Sequence, residues 1–136
     1  MLRAGPDAAA GGLCDSSRVG RTVLIVDDHG GFRSAARALL EAAGFEVVGE
    51  AVDGASAVDA VRRLRPEIVL LDIQLPDVDG FAIAEQLAHE PAPPAIVLTS
   101  SRSASSVRWR LAGHREWSFI PKSDLSGDAL AAAVAG

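Results

Sequence analysis

Residues 21–28 read RTVLIVDD and residues 68–72 read IVLLD. In each, a run of aliphatic and β-branched residues stops abruptly at a carboxylate. An apolar run this short, without polar alternation, suits a strand buried on both faces, as strands of a parallel sheet are. Outward from the first run, Phe32, Ala35, Ala36, Leu39, Leu40 and Ala43 recur at helical spacing, and Gly44 offers a C-terminal cap. Residues 45–48 predict a second strand, and Ala57, Val58, Val61 and Leu64 a second helix, which Pro66 stops. The second quoted run is followed by a loop with Pro76 and Gly80, then by an amphipathic helix over residues 81–87. A fourth strand follows at 95–99, a polar helix at 100–110, a short fifth strand at 118–120, and an Ala-rich last helix at 125–134 with Ser123 or Ser126 near its start. Strands alternating with helices predict an α/β fold whose parallel sheet is covered on both faces. Right-handed crossovers leave few topologies for it.

The chain has 136 residues, 49% apolar and 23% charged, which bounds one domain with a core that needs no staple. Residues 1–20 are rich in Gly, Ala and Ser without periodicity and predict a disordered tail ahead of a domain at 21–136. A net charge of −5 argues against unaided binding to nucleic acid or an anionic membrane. Cys14 is the one cysteine, which excludes an internal disulfide and a cysteine-based zinc site. No run approaches the roughly 18 apolar residues of a membrane span. The N-terminus has no apolar stretch of signal-peptide length. A cytoplasmic location is expected.

Ligands of an open parallel sheet bind beyond the carboxyl ends of its strands. The residues there are Asp27 and Asp28 after the first strand, Asp72 after the third, Thr99 ending the fourth and Lys122 after the fifth. Crowded carboxylates repel one another unless a cation neutralises them. A hard divalent ion does so, and carboxylate, carbonyl and water are the ligands Mg²⁺ prefers. Lys122 adds a point charge for a phosphate, and Thr99 a hydroxyl. A carboxylate also serves as a nucleophile toward phosphorus, with the metal and lysine stabilising the transferring group. Magnesium-assisted phosphoryl transfer to an aspartate is the inferred chemistry. Lys122 is the one lysine among 13 basic residues, which suggests a task that guanidinium cannot perform.

These residues resemble a known family. Val26-Asp27-Asp28-His29, Leu71-Asp72 followed by Pro76 and Gly80, Leu98-Thr99-Ser100 and Phe119-Ile120-Pro121-Lys122 stand in the order found in the receiver domain of bacterial two-component response regulators. The resemblance implies a flavodoxin-like (βα)5 doubly wound sheet, order 2-1-3-4-5. It makes Asp72 the phosphoacceptor, charged by a partner histidine kinase. It gives Mg²⁺ to Asp28, Asp72 and the Gln74 backbone carbonyl, with Asp27 acting mainly through water. Lys122 and the Ser100 backbone N–H would hold the phosphate. Thr99 and Phe119 would form a switch pair that repacks the face of the fourth helix, fifth strand and fifth helix, where partners or a second copy dock. Gln74 and Ser101 would set the lifetime of the phosphate. His29, with Val47-Val48-Gly49-Glu50-Ala51, is similar to the subgroup carrying C-terminal helix-turn-helix domains. No DNA-reading module is expected within this chain, which suits either a stand-alone receiver or part of a longer protein.

One segment departs from the family pattern. Arg115-Glu116-Trp117-Ser118 stands where small residues are usual ahead of Phe119. It motivates an alternative, a phosphate-independent interaction or dimerisation module of the same fold. A phosphatase-like hydrolase is a third reading, although Gln74 occupies the position where that chemistry has a second acid. His29, His89 and His114 read as surface residues without metal-ligand spacing. Asp77 and Asp79 read as loop acids. Trp109 and Trp117 lean toward a contact surface, and Arg102, Arg108, Arg110 and Arg115 toward a solvated helix face.

Overall fold

The computed structural model describes residues 21–101, 111 and 117–135. Its elements are β1 (Thr22–Val26), α1 (Gly30–Ala42), β2 (Glu46–Ala51), α2 (Gly54–Leu64), β3 (Ile68–Asp72), α3 (Gly80–Ala88), β4 (Ala95–Ser100) and β5 (Trp117–Pro121). A 3₁₀ turn (Lys122–Asp124) and a C-terminal helix (Gly127–Val134) follow. The strands lie in the order β2-β1-β3-β4-β5, every neighbouring pair parallel. This is the flavodoxin-like doubly wound sheet expected. The predicted tail 1–20, most of the predicted helix 100–110, Trp109, His114 and the four arginines between 102 and 115 lie outside the described residues.

The apolar runs divide by parity between two cores. Leu24, Val26, Val69, Leu71, Ile96 and Leu98 pack with α2 and α3. Val23, Ile25, Ile68, Leu70 and Val97 pack with α1 and the C-terminal helix. Burial on both faces is why the runs show no alternation, and each large side chain fully removed from water contributes about 1.5–3 kcal/mol. β2 is an edge strand and alternates. It runs to Ala51 rather than Val48, because a register shift between Val23 and Leu24 lets Gly49, Glu50 and Ala51 continue the pairing with β1.

Several helix starts precede the first apolar residue because the signal is a cap. Asp53 caps α2 in a reciprocal box with Ser56, Asp79 accepts from the Phe81 N–H at the head of α3, and Ser126 accepts from Ala129 in the last helix. Asp77 reaches across the fold. Its two carboxylate oxygens accept from the N–H groups of Gly54 (2.8 Å) and Ala55 (3.2 Å), tying the loop after β3 to the first turn of α2. Those N–H donors hold its carboxyl below the usual aspartate range. Trp117 is corrected from a surface to a core residue. It is 6% exposed, and its ring lies 6.1 Å from that of Phe81. Ser118 Oγ donates to the Ala133 carbonyl, fastening β5 to the C-terminal helix.

Gly80 brings the head of α3 close against the end of β3. Its N–H donates to the Ile73 carbonyl at 2.6 Å, and a Cβ there would run into the Asp72 carbonyl and stand 2.7 Å from Ile73 Cα. In urea unfolding, Gly80→Ala should cost about 2 kcal/mol through overpacking. Gly31→Ala, on α1 with nothing within 4 Å, should be neutral or gain roughly 0.5–1 kcal/mol. Equal costs at the two positions would contradict this packing.

Candidate functional site

β1 and β3 are neighbours, so the first residues after their apolar runs, Asp27 and Asp72, meet at one sheet edge. β4 continues the row, with Thr99 the register partner of Asp72, and β5 delivers Lys122 through the turn that begins there. One carboxylate oxygen from each of Asp27, Asp28 and Asp72 falls within 4.8 Å of the others, and a His29 ring nitrogen joins them. Asp27 is 0% and Asp72 2% exposed. The Lys122 Nζ lies 2.6 Å from Asp27 Oδ2 and 3.5 Å from Asp72 Oδ2. It also sits 4.7 Å from the centroid of the Phe32 ring on α1, a cation–π contact that orients the ammonium.

The site carries three carboxylates against one ammonium. Burial is the main reason that the Asp72 carboxyl is pushed up from the usual aspartate range. The neighbouring Asp27 charge adds to that push, while the Gln74 N–H and Lys122 oppose it. A further cation beside Asp72 would relieve the excess charge, and hard oxygen donors fit Mg²⁺. The Thr99 hydroxyl is buried and has no hydrogen-bond partner among the described residues. An orphaned hydroxyl of this kind costs about 1–3 kcal/mol, so it is suited to an incoming acceptor such as a phosphoryl oxygen.

The remaining expected residues are placed as follows. Gln74 is exposed after β3 and its N–H donates to Asp72 Oδ1 at 3.1 Å. Ser100 ends β4 rather than beginning a helix, and it is buried beside Thr99. Ser101 is exposed one residue on. Phe119, paired in register with Leu98, is partly buried against the core that contains Trp117.

Four contributors escaped the sequence reading. His29 is one: it was expected to lack metal-ligand spacing, yet its Nδ1 is 3.2 Å from Asp27 Oδ1 and 3.1 Å from Asp28 Oδ1. Adjacency along the chain, rather than an i, i+4 pattern, was the available signal. Arg33 is the second. Its Nη1 donates to the Asp27 carbonyl at 2.6 Å and its Nε to Glu50 at 2.9 Å. Arg37 holds the other Glu50 oxygen at 2.8 Å. Glu50 is the fourth, lowered from the usual glutamate range chiefly by the Arg37 hydrogen bond and further by Arg33. Arg33, Arg37 and Glu50 clamp the end of β2 to the backbone that presents Asp27.

The family model for the response regulator receiver domain matches residues 23–135. Among curated proteins, a protein-glutamate methylesterase/protein-glutamine glutaminase of Alkalilimnicola ehrlichii is 40% identical over 77% of this chain and 28% of its own length. A putative transcriptional regulator of Pseudomonas aeruginosa is 33% identical over 83% of this chain and 55% of its own. Chemotaxis protein CheY of Thermotoga maritima is 39% identical over 60% of this chain and 69% of its own. The chain thus spans about a quarter to a half of the first two relatives. Among solved structures, the receiver domain of a response regulator NarL from Mycobacterium tuberculosis has a TM-score of 0.71 at 28% identity, covering 86% of this chain and 94% of that one. A LuxR-family regulator from Aurantimonas has 0.73 at 25%, covering 85% and 83%. NarL and LuxR regulators agree with the similarity to the helix-turn-helix subgroup.

The Asp72 shift fixes a pH dependence. A carboxyl raised in the folded state binds its proton more tightly there than in the unfolded chain. Stability therefore falls as pH climbs from the ordinary aspartate range through the raised value. With EDTA present, Asp72→Asn should melt above wild type at pH 7, by roughly 4 °C, and the gap should close as pH drops below the ordinary range. Equal melting temperatures at pH 7 would contradict the burial account.

Proposed function

The chain belongs to the response regulator receiver domain family, and from that membership we propose that Asp72 is the residue through which it takes up phosphate from a histidine kinase. Receiver domains act as phosphorylation-controlled signalling modules, so the family favours this reading over the phosphate-independent one. The observation that carries the residue assignment is the gathering of Asp27, Asp28 and Asp72 at the sheet edge, with the Lys122 ammonium on Asp27 and Asp72.

Asp27, Asp28 and Asp72, with the Gln74 carbonyl, are the groups that would hold Mg²⁺. That ion would supply positive charge beside the transferring phosphoryl oxygens. An Asp72 carboxylate oxygen attacks phosphorus, the P–N bond to the kinase histidine breaks, and the leaving imidazole keeps the bonding electron pair. Lys122 follows the negative charge onto the phosphoryl group, and the Thr99 hydroxyl finds there the acceptor it lacks. The Ser100 N–H adds a further donor. Thr99 drawn toward the phosphate would leave space near Phe119, three residues before Lys122, and so carry the change to β5. Docking of a partner or a second copy on the face of β5 and the C-terminal helix belongs to the same proposal. Gln74 and Ser101, exposed beside the site, would govern access of hydrolytic water. A cytoplasmic location follows from the kinase donor. No helix among the described residues is long and apolar enough to cross a membrane.

Intact-mass spectrometry after incubation with acetyl phosphate and Mg²⁺ should show one added phosphoryl group, absent in Asp72→Asn and when EDTA replaces Mg²⁺. Lys122→Ala should slow the uptake about a hundredfold. Full phosphorylation of Asp72→Asn would place the acceptor elsewhere.

A further inference from the structure

The Lys122 ammonium reaches further across the sheet than Asp72 requires. In the order β2-β1-β3-β4-β5, the lysine enters from the turn after β5, nearer to β3 than to β1. Neighbouring strands stand about 4.8 Å apart, so Asp72 is the nearer acid in the row. Yet Nζ lies 2.6 Å from Asp27 Oδ2 and 3.5 Å from Asp72 Oδ2. A contact of charge-assisted hydrogen-bond length, up to about 2.9 Å, is made with the farther carboxylate alone.

On the side of Asp27 stands the Phe32 ring, its centroid 4.7 Å from Nζ. Phe32 belongs to the first turn of α1, the helix that follows Asp27. Two contacts fix the ring there. Arg33, the next residue, donates Nη1 to the Asp27 carbonyl at 2.6 Å, and Phe32 itself packs against the core that contains Val23, Ile25 and Leu130. Apolar packing accounts for a ring at this place but not for an ammonium over its face, where the π electrons attract a cation. A lysine stem is flexible and its ammonium is a point charge without a preferred direction. Without the ring, the nearer acid would take it.

We propose that Phe32 is a positioning residue for phosphate uptake, its ring drawing the Lys122 ammonium toward Asp27 and so leaving Asp72 Oδ2 open to phosphorus. The inference rests on the reading of Asp72 as acceptor and Lys122 as its partner, and adds what places that lysine. An oxygen clasped by an ammonium must loosen that contact before it attacks, whereas one at 3.5 Å is already in position. From beside Asp27 the ammonium then moves onto the phosphoryl oxygens as charge develops there.

The test is the rate of phosphate uptake from acetyl phosphate with Mg²⁺, followed by intact mass on the full chain. Phe32→Leu, which keeps apolar bulk and removes the π face, should slow uptake about fivefold. Phe32→Tyr, which keeps the face, should stay within about twofold of wild type. Because leucine also alters packing, fluorinated phenylalanines inserted at position 32 alone supply a second series. Successive ring fluorines drain the π face at nearly constant shape, so the rate should fall stepwise while the melting temperature holds. In a Lys122→Ala background, Phe32→Leu should add no further slowing. Wild-type rates throughout the fluorinated series, or equal slowing by Phe32→Leu with and without Lys122, would overturn the role of the ring and leave the site standing. Lys122→Ala that takes up phosphate as fast as wild type would instead overturn the reading of the site, and the role of the ring with it.

Discussion

Two carboxylates buried side by side, with a single lysine ammonium between them, set the terms for the rest of this fold. Asp27 and Asp72 are almost fully removed from water, and the Lys122 Nζ contacts both. Removing a charge from water costs several kcal/mol per ion unless partners replace the water. One lysine cannot do this for two acids while the exposed Asp28 adds a third negative charge beside them. The strand ends are held in this unfavourable proximity by the two buried cores behind them. Stability is thus spent at the edge that carries the proposed site, and the shortage of positive charge there favours a cation.

A second ring of contacts keeps that edge in shape. Arg33 reaches from α1 to the Asp27 carbonyl while pairing with Glu50, so β1, β2 and α1 share one anchor. Asp77 binds the loop that follows Asp72 to the head of α2, and Gly80 lets α3 lie against the Asp72 backbone. Phe32 places its ring under the lysine. Each of these residues bears on the position of Asp27, Asp72 or Lys122 through its backbone or through its partner.

The parts of this arrangement that were legible share a local signature. An apolar run broken by an acid reads directly as a buried strand with a carboxylate at its end, which is how Asp27 and Asp72 announce themselves, and the alternation of runs gives the sheet. Asp77 illustrates the opposite case. It accepts from N–H groups more than twenty residues away, and nothing in the neighbouring sequence marks an acid that caps a distant helix. Trp117 misled for a related reason: polar neighbours suggested exposure, but its partner Phe81 is brought up from α3 by the fold. His29 was visible as a residue but not as a neighbour of the two acids before it, because the turn after β1 brings its ring against both. The extension of β2 through Gly49 and Glu50 depended on a register shift in the pairing with β1, which no single strand encodes.

The most direct test of the central claim is a crystal structure of the chain grown with Mg²⁺ and beryllofluoride, an analogue of the phosphoryl group. The account predicts the fluoroberyllate on an Asp72 oxygen, the metal shared by Asp28 and Asp72 with Asp27 close by, and the Lys122 amine turned onto a fluoride. Beryllium on another residue, or Lys122 directed away from it while Asp27 and Asp72 hold no ion, would contradict it.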